Sequence, residues 1–285
     1  MKLGKINRLS IVDSSFTSIL TTIAPPPKAL YYIGALPEKR PTVAIVGSRR
    51  PTPYGIEVTR QLAYDLAKAG ITVISGLAYG IDAAAHKAAL EAGGTTIAVL
   101  ANGLHRVYPT AHIGLARDII QKGGALISEM PPGEDARAYH FLARNRIISG
   151  LADAVVVTEA TDRSGTFSTA THALTQNKEL FAVPGPITSL LSVGANKLLK
   201  QGAHPVTSAQ DILERIAPSY IVAAPEPLGD TTEEHLIITL LKKGVRKGDE
   251  LQQQSMLSPQ VYLQTLTMLE IKGIVRPLGG DRWSL

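Results

Sequence analysis

The feature that most constrains the fold is a repeated alternation of short apolar runs and longer helical segments between residues 42 and 216. Residues 43–46 are wholly apolar, which is typical of a strand buried on both faces of a parallel sheet. Residues 54–68 then place apolar side chains at helical spacing, and Gly70 follows as a terminator. Five more predicted strands, each followed by a helix, lie at residues 71–75, 95–100, 125–128, 153–158 and 179–183. This order predicts right-handed βαβ units, with a mainly parallel sheet and helices on both faces.

The pattern divides the chain into four segments. Residues 1–40 alternate short apolar pieces with prolines, and we expect an irregular lead-in that partly covers the α/β domain of residues 41–217. Residues 218–230 are rich in proline and glycine and are predicted to form a linker. Residues 231–285 contain three helical patterns and a hairpin, which indicates a winged helix. Its third helix carries little positive charge, so we expect this domain to bind a protein at least as readily as duplex DNA.

Composition excludes several classes of protein. The net charge of +5, from 29 basic and 24 acidic residues, permits an anionic partner without requiring one. The chain has no cysteine, which excludes disulfides, thiolate chemistry and zinc–cysteine sites. No segment is apolar enough for a signal peptide or a membrane span. We therefore expect a cytoplasmic protein that does not contact a membrane.

Three glycine-bearing turns follow predicted strands, at the sheet edge where α/β proteins bind ligands. Gly47, Ser48 and Arg49 offer a close backbone approach, a hydroxyl and a cation before a helix N-terminus, which favours anions. A second turn spans residues 75–82, where Asp82 is expected to cap its helix. A third contains Ser164, Gly165 and Thr166. Each turn alone is equally compatible with an ordinary connection, but together they predict a converging anion pocket.

Residues 141–150 combine an aromatic side chain with two arginines. The planar forks of Arg144 and Arg146 suit phosphate oxygens, and Phe141 shares a helix face with Arg144 or Asn145. Cations beside a flat ring suit single-stranded nucleic acid, which offers phosphates and unstacked bases. Taken alone, however, the stretch fits an amphipathic helix with a solvated basic face better.

Motifs of common enzymes are absent from the sequence. No strand is followed by G-x-G-x-x-G, and neither a Walker A loop nor a G-x-S-x-G elbow occurs. The seven histidines show no metal-ligand spacing. Glu129 and Glu159 end strands and could serve as acids, but no spacing pairs them, and helix capping is the alternative. We expect no metal, no cofactor and no catalytic residue.

The motifs together resemble the DNA-processing protein A family, also called Smf. The match runs in order from about residue 31 to residue 216, and the tail resembles the winged helix often appended to this family. The matching segments are residues 46–49, 54–55, 75–82, 108–109, 128–133, 141, 144–151, 159–160, 164–166, 183–185, 194–196 and 202–203. The chain looks like a short form, with residues 1–40 in place of an N-terminal helical domain.

The resemblance implies an extended Rossmann-like fold that binds single-stranded DNA as a homodimer. It also implies delivery of that DNA to the RecA recombinase during natural transformation, without enzymatic activity. The candidate DNA-binding residues are Gly47, Ser48, Arg49, Ser75, Gly76, Gly80, Phe141, Arg144, Asn145, Arg146, Ser164, Gly165 and Thr166. In this scheme Phe141 lies against a base, and the others form the phosphate pocket.

Two alternatives remain open at the level of sequence. The same broad superfamily contains nucleotide phosphoribohydrolases, but their P-G-G-x-G-T loop is absent, and residues 183–186 are the nearest counterpart. A winged-helix regulator with a ligand-sensing Rossmann domain is the other alternative, which the weakly charged third helix disfavours.

Overall fold

The computed structural model describes residues 3–38, 40–162, 164–220 and 230–285. The chain divides into two units between residues 221 and 222. The predicted linker, residues 218–230, lies mostly outside the described residues. At its start, Pro218–Tyr220 form a short 3₁₀ helix that belongs to the first unit.

The first unit is built on a nine-stranded sheet. Its strands are β1 Asn7–Leu9, β2 Leu30–Gly34, β3 Thr42–Val46, β4 Thr72–Ser75, β5 Thr96–Leu100, β6 Ala125–Ser128, β7 Ala154–Val157, β8 Glu179–Ala182 and β9 His204–Pro205. They lie in the order β1-β2-β6-β5-β4-β3-β7-β8-β9. All neighbours from β6 to β9 pair in parallel, while β1 and β2 add antiparallel strands at one edge. The predicted mainly parallel Rossmann-like sheet is confirmed.

Seven helices of the described residues cover both faces of this sheet. They are α1 Pro53–Lys68, α2 Ile81–Glu91, α3 Ile113–Gln121, α4 Ala138–Leu151, α5 Thr166–Thr175, α6 Val193–Lys200 and α7 Ala209–Ile216. The first, second and seventh pack on one face, and the fourth, fifth and sixth pack on the other. Alternate residues of β3 divide between these cores, since Val43 and Ile45 face α1 while Ala44 and Val46 face α4. This explains why the strand is wholly apolar.

The structure corrects the expectation for residues 1–40. Instead of an irregular lead-in, this segment contributes β1 and β2, and β2 pairs with β6 through Tyr31 and Ser128. Phe16 and Leu20 are buried against the end of α4 in the main core. The segment is therefore part of the first unit rather than a loose cover on it.

In the second unit, the described residues 230–285 form three helices and a hairpin around their own core. The helices are α8 Thr232–Lys242, α9 Gly248–Ser255 and α10 Pro259–Ile271, and the hairpin strands are β10 Arg276–Gly279 and β11 Arg282–Ser284. Leu241, Leu251 and Leu269 meet in its interior. A bridge between Lys247 and Arg282 ties the start of α9 to the hairpin. This arrangement is that of the predicted winged helix.

The position of β3 in the sheet decides where a ligand can bind. It lies between β4, which follows it directly, and β7, which follows about a hundred residues later. The chain therefore runs outward in both directions from the boundary between β3 and β7, and this change of direction opens a crevice at their carboxyl ends. Among the described residues, no helix is long and apolar enough to cross a membrane.

Candidate functional site

A cavity of about 690 Å³ occupies this crevice. Its walls come from the turn after β3, the loop between β7 and α5, and the first half of α4. Nine of the thirteen predicted site residues line it, which are Gly47, Ser48, Arg49, Phe141, Arg144, Asn145, Ser164, Gly165 and Thr166. The other four predicted residues, Ser75, Gly76, Gly80 and Arg146, lie outside the lining.

The turn after β3 presents unused hydrogen-bond donors and a cation. The backbone N–H groups of Ser48 and Arg49 have no acceptor among the described residues. The Arg49 side chain is exposed and forms no ion pair with any described residue. Because both residues line the cavity, the turn can bind an anion through its backbone and through a guanidinium fork.

The second turn holds the first in place. The Ile81 N–H donates to Ser48 O at 3.1 Å, which joins the start of α2 to the turn after β3. Gly80 has φ +77°, and a Cβ there would overlap Ser48 O. The close backbone approach requires glycine at this position. Gly80 therefore acts by shaping the turn rather than by lining the cavity.

Glu159 fixes the start of α1 on the same side. Its carboxylate accepts from the Thr52 N–H at 2.9 Å and from the Thr52 hydroxyl at 2.5 Å. Thr52 in turn caps the helix by accepting from the Gly55 N–H. Gly55 packs directly on the carboxylate, since a Cβ at this position would clash with it. Glu159 thus positions a helix and does not reach the cavity.

Arg144 lies in the floor of the cavity and is 94% buried, with an exposed fraction of only 6%. Its Nη1 donates to Gly76 O at 2.9 Å and to Val99 O, so it ties the ends of β4 and β5 to α4. A Cβ on Gly76 would lie 2.6 Å from Nη1, which is why glycine occupies that position. Burial lowers the pKa of Arg144 to about 10, with Asp82 opposing the change, so the side chain stays charged at neutral pH.

Asp82 also lines the cavity, and its role differs from the expected helix cap. The residue that caps α2 is Gly80, which has no side chain to offer. Asp82 Oδ2 instead accepts from the Gly76 N–H at 3.1 Å and from the Ala78 N–H at 3.2 Å. Burial raises the pKa of this carboxyl, while the Arg144 charge opposes the rise. The predicted second anion-binding turn is thus occupied by an internal carboxylate.

Two guanidinium groups lie close to the ring of Phe141. The Cζ atoms of Arg49 and Arg144 are 5.2 and 6.0 Å from its ring centroid, within the range of cation–π attraction. The Tyr108 ring approaches edge-on, with centroids 5.7 Å apart and an interplanar angle of 61°. Phe141 is half-buried, so part of its surface remains open to the cavity.

The third turn closes the opposite wall. Its hydroxyls bond to each other, with Ser164 Oγ 2.8 Å from Thr166 Oγ1, and the Thr166 N–H donates to Ser164 Oγ. The Asn145 amide donates to Gly165 O at 3.3 Å and so connects α4 to this turn. The three predicted turns therefore do meet in space, and the second contributes Ala78 and Asp82 to the cavity lining.

The structure places Arg146 away from the cavity, contrary to expectation. It is buried, and its guanidinium forms an ion pair with Glu129 at 2.7 Å. Residues two apart on a helix point to different sides, so Arg144 and Arg146 cannot face the same ligand. Ser75 is also fully buried and donates to Ile45 O, which links β4 to β3.

Sequence reasoning missed two residues that shape the cavity. Tyr108 lies in the loop after β5, beside a proline within a motif of the family, and it contacts Phe141. Asp82 was predicted only as a cap. Its position directly after a glycine turn was the available signal, because short acids there often bind backbone N–H groups.

The arrangement suits binding rather than hydrolysis. A phosphate could take the two free N–H groups and the Arg49 fork, with hydroxyls on the opposite wall and an aromatic ring beside it. Glu129 and Glu159, the acids offered by the sequence, are used in an ion pair and in helix positioning. Among the described lining residues, Asp82 is the one carboxylate, and it already accepts two N–H groups.

The fold is that of a Rossmann-like domain with a cavity at the switch point of the sheet, followed along the chain by a winged-helix domain. The model of the DNA recombination-mediator protein A family matches residues 7–217, and that of the DprA winged helix domain matches residues 222–281. The chain therefore belongs to the DNA recombination-mediator protein A family, which confirms the resemblance drawn from the motifs.

Individual relatives agree with this assignment. Protein Smf of Escherichia coli strain K12 is 49% identical over 174 residues, which cover 61% of this chain and 46% of that protein. A putative DNA processing protein DprA of Mycobacterium tuberculosis is 40% identical, covering 85% of this chain and 64% of its own length. The chain thus spans less than two thirds of either relative.

A solved structure of DNA processing protein A from Helicobacter pylori has the same fold. It is 32% identical and superposes with a TM-score of 0.67, covering 75% of this chain and 97% of that one. That structure concerns the single-stranded DNA binding mode of the Helicobacter pylori protein.

Proposed function

We propose that this protein binds single-stranded DNA, without catalysis, in the cavity between the turn after β3 and the turn before α5. The observation that carries the proposal is that the Arg49 guanidinium and the N–H groups of Ser48 and Arg49 have no partner among the described residues and lie beside a half-buried aromatic ring. Family membership and the DNA-binding relative from Helicobacter pylori support the same ligand.

In this proposal a backbone phosphate binds at the turn after β3. Arg49 supplies a charge-assisted contact, and the two N–H groups complete the anion site. Arg144 contributes its charge from the floor of the cavity and holds the Gly76 turn in place. Its Nη1 already donates to two carbonyls, so this atom does not bind the phosphate directly. Gly47 lets the turn after β3 pack closely on its neighbours, because a Cβ there would meet Ile81 and Glu159 O at 2.8 and 2.9 Å.

A neighbouring base stacks against Phe141 in this scheme. The Arg49 guanidinium already lies over the ring, so in this scheme it swings outward toward the phosphate when a base stacks there. Arg49 is able to do so because no acid among the described residues forms an ion pair with it. Stacking on an aromatic ring is tolerant of sequence, which suits a protein that must accept any strand.

The wider role follows from the family rather than from the cavity. We infer that the bound strand is passed to the RecA recombinase during DNA uptake or recombination, and that the protein acts as a homodimer in the cytoplasm. A pull-down with purified RecA and a mass measurement in solution would test them separately.

The enzyme alternative has less support. A phosphoribohydrolase needs a free carboxylate at the reacting sugar, and Asp82 is the one described candidate in the cavity. It is buried and already accepts two N–H groups. A nucleotide-hydrolysis assay on the purified protein should show no turnover, and release of a free base would favour the enzyme.

The binding proposal is tested by fluorescence anisotropy with a labelled oligothymidylate across a range of salt concentrations. Affinity should fall as salt rises, because bound cations release counterions from the strand. Arg49→Ala should weaken binding and reduce the slope of log affinity against log salt by about 0.7, the value for one phosphate contact on a single strand. Phe141→Ala should cost about 1–3 kcal/mol if the ring stacks on a base.

Arg60→Ala is the matched control. Arg60 is an exposed arginine on α1 that pairs with Glu91 and lies outside the cavity, so its loss should leave affinity nearly unchanged. Binding that is independent of salt, a preference for duplex over single strand, or equal losses in the Arg49 and Arg60 variants would contradict the proposed site.

A further inference from the structure

The second glycine turn is built like an anion site but is already filled. Its Gly76 and Ala78 N–H groups point to one acceptor, Asp82 Oδ2, at 3.1 and 3.2 Å. Such paired N–H groups are the donors that bind phosphate oxygens in other α/β proteins. Here a side chain of the protein itself takes the place of that phosphate.

The same carboxylate lines the cavity that holds the two cations. Arg49 and Arg144 bring two positive charges to the site, and Asp82 brings one negative charge, so the described lining carries a net charge of +1. A phosphodiester carries one negative charge and is balanced by this lining. A phosphomonoester carries about two above its second pKa, near 6, and its second charge would face Asp82 uncompensated.

We propose that Asp82 is a specificity residue of this site: it occupies the second anion-binding turn and repels the extra charge of phosphomonoesters. The cavity then accepts the phosphodiesters of a strand and rejects free nucleotides and phosphorylated strand ends. The inference rests on the proposed binding of DNA in this cavity, and it adds which phosphate chemistry the cavity selects.

A purely structural role predicts a different outcome at this position. If Asp82 only pins the turn, an asparagine can do the same, because its Oδ1 can accept the same two N–H bonds without carrying charge. The turn also has little freedom to rearrange, since Gly76 packs against the Arg144 guanidinium. Asp82→Asn therefore removes the charge while keeping the hydrogen bonds.

The test compares two small competitors that differ by one charge. Thymidine 5′-monophosphate and its methyl ester displace a fluorescent oligothymidylate whose ends carry no phosphate, at pH 8 and constant ionic strength. The readout is the ratio of the inhibition constants of the monoester and the methyl ester, which is independent of overall affinity for the strand. Asp65→Asn, on the exposed side of α1, is the control that makes the same change in net charge.

We expect the wild-type protein and the Asp65 variant to bind the monoester no better than the methyl ester. In Asp82→Asn the ratio should shift toward the monoester by about tenfold or more, the scale of one charge interaction at short range in a partly buried site. An unchanged ratio in a folded Asp82→Asn protein would overturn the inference but not the binding proposal.

The wild-type measurement tests the inference even if the variant does not fold. A wild-type preference of tenfold or more for the monoester would overturn it directly. Failure of the wild-type protein to bind the oligothymidylate at all would overturn the proposed function, and the inference with it.

Discussion

Replacement of Arg144 by alanine should damage folding and binding together, whereas replacement of Arg49 should damage binding alone. Arg144 Nη1 serves two buried carbonyls, Gly76 O and Val99 O. Each carbonyl left without a donor costs about 1–3 kcal/mol, so the variant should lose about 2–6 kcal/mol. Arg49 is exposed, and among the described residues its guanidinium lies over the Phe141 ring, a contact that contributes about 0.5–1 kcal/mol at such a site.

For a unit of this size, 1 kcal/mol changes the melting temperature by about 2–4 °C. Arg144→Ala should therefore melt at least about 4 °C below the wild-type protein, and Arg49→Ala within about 4 °C of it. Circular dichroism gives the melting curves, and hydrogen exchange at β4 and β5 assigns the loss to the first unit.

Removal of Arg144 also leaves the Asp82 carboxylate without its nearby cation. A second substitution, Asp82→Asn, should then recover part of the stability lost in Arg144→Ala, although the same change in the wild-type protein removes a favourable interaction. A shift of less than about 1 °C in Arg144→Ala would refute the assignment of the two carbonyl bonds. Additive effects of the two substitutions would refute the coupling of the charges.

Three further predictions concern groups that support the site. Burial lowers the pKa of His86 to about 3, so only the unfolded chain takes up a proton on this side chain near pH 6.5. The unfolding free energy should therefore fall by about 2 kcal/mol between pH 7 and pH 5, and urea titrations of His86→Asn should lack this pH-dependent loss. Gly80→Ala should lower stability by about 1–3 kcal/mol, because φ is +77° and a Cβ would overlap Ser48 O; a wild-type melting temperature would contradict this. Glu159→Gln should cost about 1–3 kcal/mol in urea unfolding, since an amide cannot accept from both donors of Thr52 through its two ends.

The parallel part of the sheet was predictable because its strands are buried on both faces. A wholly apolar run such as residues 43–46, with a helical segment after it, leaves few alternatives to a buried strand of a parallel sheet. The edge strand β2 was not predicted, because its partner β6 lies about a hundred residues away and nothing local indicates that pairing. Its Tyr31 and Tyr32 alternate between partly covered faces and follow a proline-rich stretch, which looks irregular in the sequence.

The site was predictable as a set of turns but not as a set of contacts. Arg144 and Arg146 look equivalent in the sequence. Because residues two apart lie on different sides of a helix, only one of them can face the cavity, and the structure is needed to identify it. The role of Asp82 required the three-dimensional turn, since its carboxylate accepts from N–H groups four and six residues earlier in the chain. Whether the lining residues contact DNA in the predicted way stays a prediction.

The placement of β3 beside β7 has a consequence for the protein during its synthesis. The backbone N–H of Thr42 bonds the Asp153 carboxylate at 2.9 Å, across 111 positions of the chain. The turn of Ser48 and Arg49 is therefore translated long before Ser164 can form the facing wall. A nascent chain that has emerged only as far as α3 carries the cation and the free N–H groups without a cavity. Binding of single-stranded DNA should begin abruptly, once β7 and the start of α5 have left the ribosome and packed against the strands of the sheet that are already formed.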